Sequence, residues 1–115
     1  MKSIEIGGKE YRIEYDINSG CDMEDRAGES FSEIVNSVIR KQSLRSIRVM
    51  FWGGLRKNYP DLTLSDAADL IALHGNWPDL TNTCIEEMKT AGFFGKAVEK
   101  TPPKKRASAR STATS

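Results

Sequence analysis

The chain has 115 residues, of which 38% are hydrophobic and 29% are charged, and its formal net charge is +1. These values fit one soluble globular domain. The two cysteines, Cys21 and Cys84, are too few for a disulfide framework and lack metal-ligand spacing, so we expect reduced thiols in a cytoplasmic protein. No apolar run follows Met1 and no apolar stretch reaches about 18 residues, so we predict neither a secretory signal nor a membrane span.

Charge is distributed unevenly along the chain. From Lys96 onward there are six Lys or Arg and one Glu, a net charge of +5, whereas the preceding 95 residues have a net charge of −4. This terminal segment has no aromatic residue and one aliphatic residue beyond alanine, so apolar burial cannot offset the entropy lost on ordering it. We therefore predict a folded domain over residues 1–95 and a disordered basic tail over residues 96–115.

The first predicted element is a β-hairpin. Apolar residues alternate with polar ones on both sides of Gly7-Gly8, as in paired strands. A turn centred on Gly7-Gly8 would pair Ile4 with Tyr11, and a turn centred on Gly8-Lys9 would pair Ile6 with Tyr11. Both registers keep the apolar residues on one face. The second gives better cross-strand pairs and puts Gly8 first in a type II′ turn, so it is the predicted register.

A short helix is predicted next, with Asp16 or Asn18 as its N-cap and Gly28 as its end. Gly20 and the Asp and Asn residues around it make the segment a weak helix former. The residues that could face the core are Ile17, Cys21, Met23 and Ala27. Two interpretations of the acidic residues stay open. They belong to a solvated helix or loop, or they form an acidic docking face made of Asp22, Glu24 and Asp25.

The next two helices have clear start signals. Ser30-Phe31-Ser32-Glu33 is a capping box, and helical spacing of apolar residues continues to Lys41-Gln42 through Phe31, Ile34, Val35, Val38 and Ile39. Ser43 then caps a central helix that must end before Pro60. Its predicted inward face is Leu44, Ile47, Met50, Phe51, Trp52 and Leu55. Gly53 and Gly54 each cost this helix about 1 kcal/mol relative to alanine. They indicate close packing by another element, with a bend as the alternative.

Two more helices complete the predicted domain. Thr63 and Asp66 start the first, which ends at Gly75 and turns inward Leu64, Ala67, Ala68, Ile71 and Ala72. Trp77-Pro78-Asp79 starts the second, which ends at Gly92 and turns inward Leu80, Cys84, Ile85 and Met88. The predicted fold is α+β and mostly α-helical, with an N-terminal β-hairpin packed on a four- to five-helix cluster and a disordered C-terminal tail.

The run WGGLRKNYPDLTLSDAADLI, at residues 52–71, resembles a signature of the phage tail assembly chaperones, including their relatives in gene transfer agents. In that family an apolar helix ending in a Trp-(Ala/Gly)-Gly-Leu-like run is followed by a polar loop, Pro-x-Leu-Thr and an amphipathic helix. IEIGGKEYRIEYDI, at residues 4–17, resembles the family's opening hairpin. The similarity covers residues 4–73, although the family normally has a more apolar helix where this chain has its acidic one.

The resemblance implies a role in building the tail of a long-tailed phage (a siphovirus), a prophage or a phage-like particle. Chaperones of this family bind the helical tape measure protein, keep it soluble, recruit tail tube subunits and are absent from the finished particle. Many also exist as a longer form made by ribosomal frameshifting. The implied partners are therefore the tape measure and tail tube proteins, in the host cytoplasm and without a cofactor.

Phe93 and Phe94 follow the predicted helix end and have no place in its apolar stripe. They either fold back onto the core or form an apolar edge for partner capture or self-association. A rival hypothesis is nucleic-acid binding through tail residues that could contact phosphates, namely Lys104, Lys105, Arg106 and Arg110. Against it, the tail has no interleaved aromatic residue, and the acidic body offers no second basic surface. The helix that would enter a DNA groove also carries two Asp and no Lys or Arg. We expect protein partners, with no nucleic acid, small-molecule substrate or membrane.

Residues with catalytic chemistry are few. His74 is the only histidine, and with Cys84 or Cys21 it could form a nucleophile and base, but nothing in the local sequence supports a third, orienting group. The position of His74 at a helix C-terminus is explained by capping and by the helix dipole. Gly7-Gly8 lacks the sequence context of a phosphate-binding loop. We predict no catalytic, cofactor-binding or metal site, and no enzyme activity.

Overall fold

The structure is a computed structural model that describes residues 2–93. Strands β1 (Lys2–Ile6) and β2 (Lys9–Ile13) form a two-stranded antiparallel sheet. The helices that follow are α1 (Ile17–Ala27), α2 (Phe31–Asn36), α3 (Leu44–Leu55), α4 (Leu64–His74) and α5 (Trp77–Thr90), and a π-helical segment, Ser37–Lys41, continues α2. The predicted α+β, mostly α-helical class is confirmed. The predicted domain end at residue 95 and the predicted tail lie outside the described residues.

The hairpin register differs from the predicted one. Ile4 pairs with Tyr11 and Ile6 pairs with Lys9, so the turn is centred on Gly7-Gly8. Both glycines have positive φ, +60° at Gly7 and +82° at Gly8. A two-residue turn with positive φ at both positions is type I′, whose twist matches that of the strands it joins. The prediction relied on cross-strand pairs and on a type II′ turn at Gly8-Lys9, whereas the observed type I′ turn at Gly7-Gly8 sets the register.

Helix α3 lies at the centre of the domain and contacts β2 and the other four helices. Nine of its twelve residues are buried, and Phe51, Ile47, Met50 and Leu55 are completely inaccessible to solvent. Ser43 is its N-cap as predicted, because its side chain accepts the Ser46 backbone N–H. The core around α3 is filled by Ile13 and Tyr15 from the hairpin side, Ile34 and Val38 from α2 and its continuation, and Leu80 and Met88 from α5.

The two glycines of α3 are sites of close packing, as predicted. A Cβ atom on Gly54 would lie 2.8 Å from the Tyr15 ring and 2.9 Å from the Ile13 side chain, and a Cβ atom on Gly53 would overlap Met23. The Gly54 carbonyl also accepts the Glu14 backbone N–H at 2.9 Å. The glycines therefore let β2 and α1 approach the α3 backbone directly.

Trp52, which precedes these glycines, fixes the loop between α3 and α4. Its indole N–H donates to the Leu62 carbonyl at 3.0 Å. The guanidinium groups of Arg26 and Arg56 lie over its ring, 5.3 Å and 5.7 Å from the ring centre, and Arg56 also pairs with Asp22 at 2.8 Å. The sequence run that resembles tail assembly chaperones thus joins α1, α3 and the following loop.

Helix α1 begins at the N-cap Asp16 and ends at Gly28, which adopts the left-handed conformation, as predicted. Met23 is buried and Ala27 packs against the core. Ile17 and Cys21 were expected to face inward, but Ile17 is 73% exposed and Cys21 is exposed. The buried positions are instead Ser19, Gly20 and Met23, because small residues let α1 lie close to the core.

The acidic residues of α1 are partly engaged within the domain. Asp22 is held by Arg56, and the Glu24 carboxylate accepts the Phe31 backbone N–H at 2.7 Å. Two of the three residues of the hypothetical acidic docking face therefore have structural roles. The interpretation of α1 as a solvated helix fits the structure better.

The capping boxes predicted for α2 and α4 are both present. Ile39, which was expected to face inward, is 58% exposed. The cause is the π-helical segment, whose wider turn rotates Ile39 away from the stripe formed by Ile34, Val35 and Val38. None of the helices within residues 2–93 has the length and apolar composition that crossing a membrane requires.

Candidate docking groove

An open groove of about 500 Å³ lies between α3 and α4. It is lined by Leu44, Arg45, Ile47 and Arg48 of α3 and by Ala68, Ile71 and Ala72 of α4. Apart from the two arginines, every lining side chain is apolar. The groove is therefore a surface that water wets poorly and that a second apolar element could cover.

The groove exists because α4 has a wider apolar face than α3 covers. Ala67 is buried against the core, and Ile71 is half-buried, but Ala72 is exposed although it was predicted to face inward. Leu44 was also predicted to face inward and is 71% exposed. It is the first residue of α3, where the facing alanines of α4 are too small to fill the space between the helices.

One wall of the groove carries positive charge. Arg45 is exposed and Arg48 is half-buried, both on α3. Within residues 2–93 neither side chain forms a hydrogen bond or an ion pair, and the Nε–H of Arg48 is buried without an acceptor. The lining residues from α4 bear no charge. The groove thus combines an apolar floor with uncompensated positive charge on one side.

The predicted partner-binding residue Phe93 folds back onto the core, the first of its two predicted arrangements. Its ring meets the Phe31 ring edge-on at 5.1 Å between centres and the Tyr15 ring at 5.8 Å. A Cβ atom on Gly20 would lie 3.3 Å from the Phe93 ring, so α1 also packs against it. Phe93 therefore closes the core and is not an exposed edge. The other predicted binding residues, Phe94, Lys104, Lys105 and Arg106, lie outside the described residues.

The residues considered for catalysis are not among those that line the groove. Cys84 is buried in α5, and burial raises the pKa of its thiol to about 12, an effect that the neighbouring Tyr15 hydroxyl partly offsets. A thiol with this pKa stays protonated near neutral pH and is a poor nucleophile. Nδ1 of His74, the last residue of α4, accepts the Asn76 backbone N–H at 3.3 Å, so this bond holds the loop after α4 and does not cap the carbonyl groups of the helix. Cys21 lies on the exposed side of α1.

Sequence reasoning missed the groove because it assigned the whole apolar face of α4 to the core. Two signals could have revealed it. The inward face of α4 has three alanines, which fill little space, and Leu44 directly follows an N-cap at the edge of the helix cluster. Arg45 and Arg48, one helical turn apart, then mark the side of α3 that borders the opening.

Comparisons with protein-family models, with curated proteins and with solved structures found no match to the chain. The resemblance of residues 4–73 to tail assembly chaperones therefore stays a prediction from sequence. The groove is a feature of the domain's own geometry.

Proposed function

We propose that this protein is a tail assembly chaperone of a long-tailed phage, prophage or phage-like particle. In this proposal it acts in the host cytoplasm, where its α3–α4 groove binds a helical segment of the tape measure protein while tail tube subunits are recruited. The observation that carries the proposal is the exposed apolar groove with Leu44 at one end. The resemblance of residues 52–71 supplies the identity of the partner.

The shape of the groove suits a helix. Two helices in contact, with small residues on one of them, leave a trough between them, and laying an amphipathic helix into such a trough is a common mode of peptide recognition. Each apolar anchor contributes modestly. Covering Leu44, which is 71% exposed, would contribute about 1–2 kcal/mol, or roughly a 5- to 30-fold gain in affinity.

A groove of this size also suits temporary binding. Stable protein interfaces bury about 1,200–2,000 Å² in total, more than a short helix in one groove would cover. Each copy would therefore hold one helical stretch weakly, and many copies would cover a long tape measure protein. Weak individual contacts let the chaperone leave when tube subunits replace it.

The experiment is co-expression of the tape measure protein encoded in the same genome with the full chain and two variants. Leu44→Gln removes the apolar anchor without adding charge. Ile17→Gln is a matched control, because Ile17 is equally exposed and is also the first residue after an N-cap. We expect soluble tape measure protein with the wild type and with Ile17→Gln, and a severalfold smaller soluble fraction with Leu44→Gln. Equal soluble fractions with both variants would contradict binding in this groove.

The alternative function is nucleic-acid binding through the basic tail, with Lys104, Lys105 and Arg106 as its phosphate contacts. One observation favours it. Lys41 and Arg45 line a cleft next to the groove, although Glu29 lines the same cleft and offsets part of their charge. The charged phosphates of a nucleic acid, however, would gain no binding energy from the apolar residues that line the groove. The two functions differ in a salt series on labelled DNA, because phosphate contacts give an affinity that falls steeply as salt rises.

A further inference from the structure

We propose that the α3–α4 groove selects its occupant by charge, so that it takes an amphipathic helix whose apolar stripe is bordered on one flank by Asp or Glu. This inference rests on the proposed function, because it specifies which helical segments of the partner the groove accepts. The acidic flank of the bound helix lies against Arg45 and Arg48.

The first argument is the unbalanced charge of the wall formed by α3. Two other arginines of the domain are engaged, since Arg56 pairs with Asp22 and both Arg26 and Arg56 lie over Trp52. Arg45 and Arg48 have no such partner within residues 2–93. A carboxylate that reached the half-buried Arg48 would form a charge-assisted hydrogen bond in a partly water-excluded place.

The second argument is that only one of the two groove walls is charged. The groove wall from α4 consists of Ala68, Ile71 and Ala72 and carries no charge. A helix with acidic residues on one flank therefore fits with that flank toward α3. Turning the helix end for end would move the acidic flank to α4, so the charged wall also fixes the direction of the bound helix.

The same charges disfavour two other occupants. The chain's own segment from Lys96 onward has a net charge of +5 and few apolar side chains, so the basic wall repels it. A second copy bound through the same groove about a twofold axis would bring two basic walls into one interface. A partner helix with acidic residues has neither disadvantage.

The test uses the full chain and two synthetic helical peptides of about 20 residues, long enough to hold a helical conformation. Both carry leucines at helical spacing; one has glutamates on one flank and the other has lysines there. Binding is measured by fluorescence anisotropy. We expect the wild type to bind the glutamate peptide about tenfold more tightly than the lysine peptide, a preference that shrinks as ionic strength rises.

Charge reversal supplies the decisive comparison. The double variant Arg45→Glu/Arg48→Glu should prefer the lysine peptide. The control Lys2→Glu/Lys89→Glu makes the same change in net charge at exposed positions outside the groove and should keep the wild-type preference. Circular dichroism melting of each variant ensures that only folded protein is compared.

The possible results separate this inference from the proposed function. If Leu44→Gln weakens the binding of both peptides but charge reversal changes neither affinity, selection by charge is refuted and binding in the apolar groove is supported. If Leu44→Gln binds both peptides like the wild type, the groove itself is refuted as the site. Self-association of the full chain that is lost in Arg45→Glu/Arg48→Glu without any peptide would also overturn the inference, because the occupant would then be a second copy.

Discussion

Replacing Gly54 by alanine tests whether α3 is seated directly against the hairpin. In an exposed helix, Gly→Ala stabilises by about 1 kcal/mol. Here the new Cβ atom would lie 2.8 Å from the Tyr15 ring and 2.9 Å from the Ile13 side chain. The ring cannot move aside easily, because Tyr15 is buried and its hydroxyl donates to the Met50 carbonyl at 2.5 Å.

We expect Gly54→Ala to destabilise the protein, although alanine has a higher helix propensity than glycine. Overpacking a core costs about 1–3 kcal/mol, and a rigid neighbour places this case near the upper limit. Subtracting the propensity gain leaves a net loss of about 1–2 kcal/mol in the free energy of unfolding, or a fall in Tm of roughly 5–15 °C. Urea titration and thermal melting followed by circular dichroism measure both quantities.

Gly53→Ala is the matched comparison. Its Cβ atom would overlap Met23, whose flexible side chain can adjust, so we expect a smaller effect than at Gly54. If Gly54→Ala instead stabilised the protein, Tyr15 and Ile13 would not be packed tightly on α3. The role assigned to the two glycines would then be refuted.

Four further perturbations test the packing. Phe51→Ala should lower the free energy of unfolding by about 3–5 kcal/mol, because Phe51 is completely buried. Its control, Asp25→Ala on the exposed side of α1, should change the free energy of unfolding by less than about 0.5 kcal/mol. Similar urea midpoints for the two variants would mean that the core is wrongly placed. Cys84 should react with a thiol reagent only on unfolding, and Cys21 at once. Because the pKa of Cys84 rises from 9.0 when unfolded to about 12 when folded, the unfolded state loses this proton first, so stability should fall as pH rises from 9 to 12, and less steeply in Cys84→Ala. Deleting residues 96–115 should leave Tm unchanged, and a fall of more than a few degrees would show that this segment packs on the domain.

Local signals predicted much of the fold. Ser30, Ser43 and Thr63 each cap a helix as expected, because the capping hydrogen bonds involve residues only three apart in the sequence. The paired glycines of α3 likewise indicated close packing, because glycine is unfavourable within a helix and its presence there suggests that another element approaches the backbone. Such features depend on neighbours along the chain and can therefore be inferred without knowing the tertiary structure.

The errors concern which neighbour a side chain meets in space. Ile17 and Leu44 are apolar first residues of helices and were both assigned to the core, yet each lies at the edge of the helix cluster. Ile39 lost its inward position because the π-helical segment changed the phase of the helix, which spacing alone does not indicate. The groove was missed because it is an unfilled space between two helices. Sequence periodicity assigns every apolar position on one helix face to the core and does not show whether a neighbour fills that space.

The most direct test of the proposed function is to find where the tape measure protein contacts the domain. Isotope-labelled full chain would be titrated with a soluble helical fragment of the tape measure protein, and the backbone amide shifts would be followed by NMR. The proposal predicts that the largest changes fall on the residues around the groove, with Leu44, Arg48 and Ile71 among them. Changes centred on α1 around Ile17, or no change at saturating fragment, would contradict it.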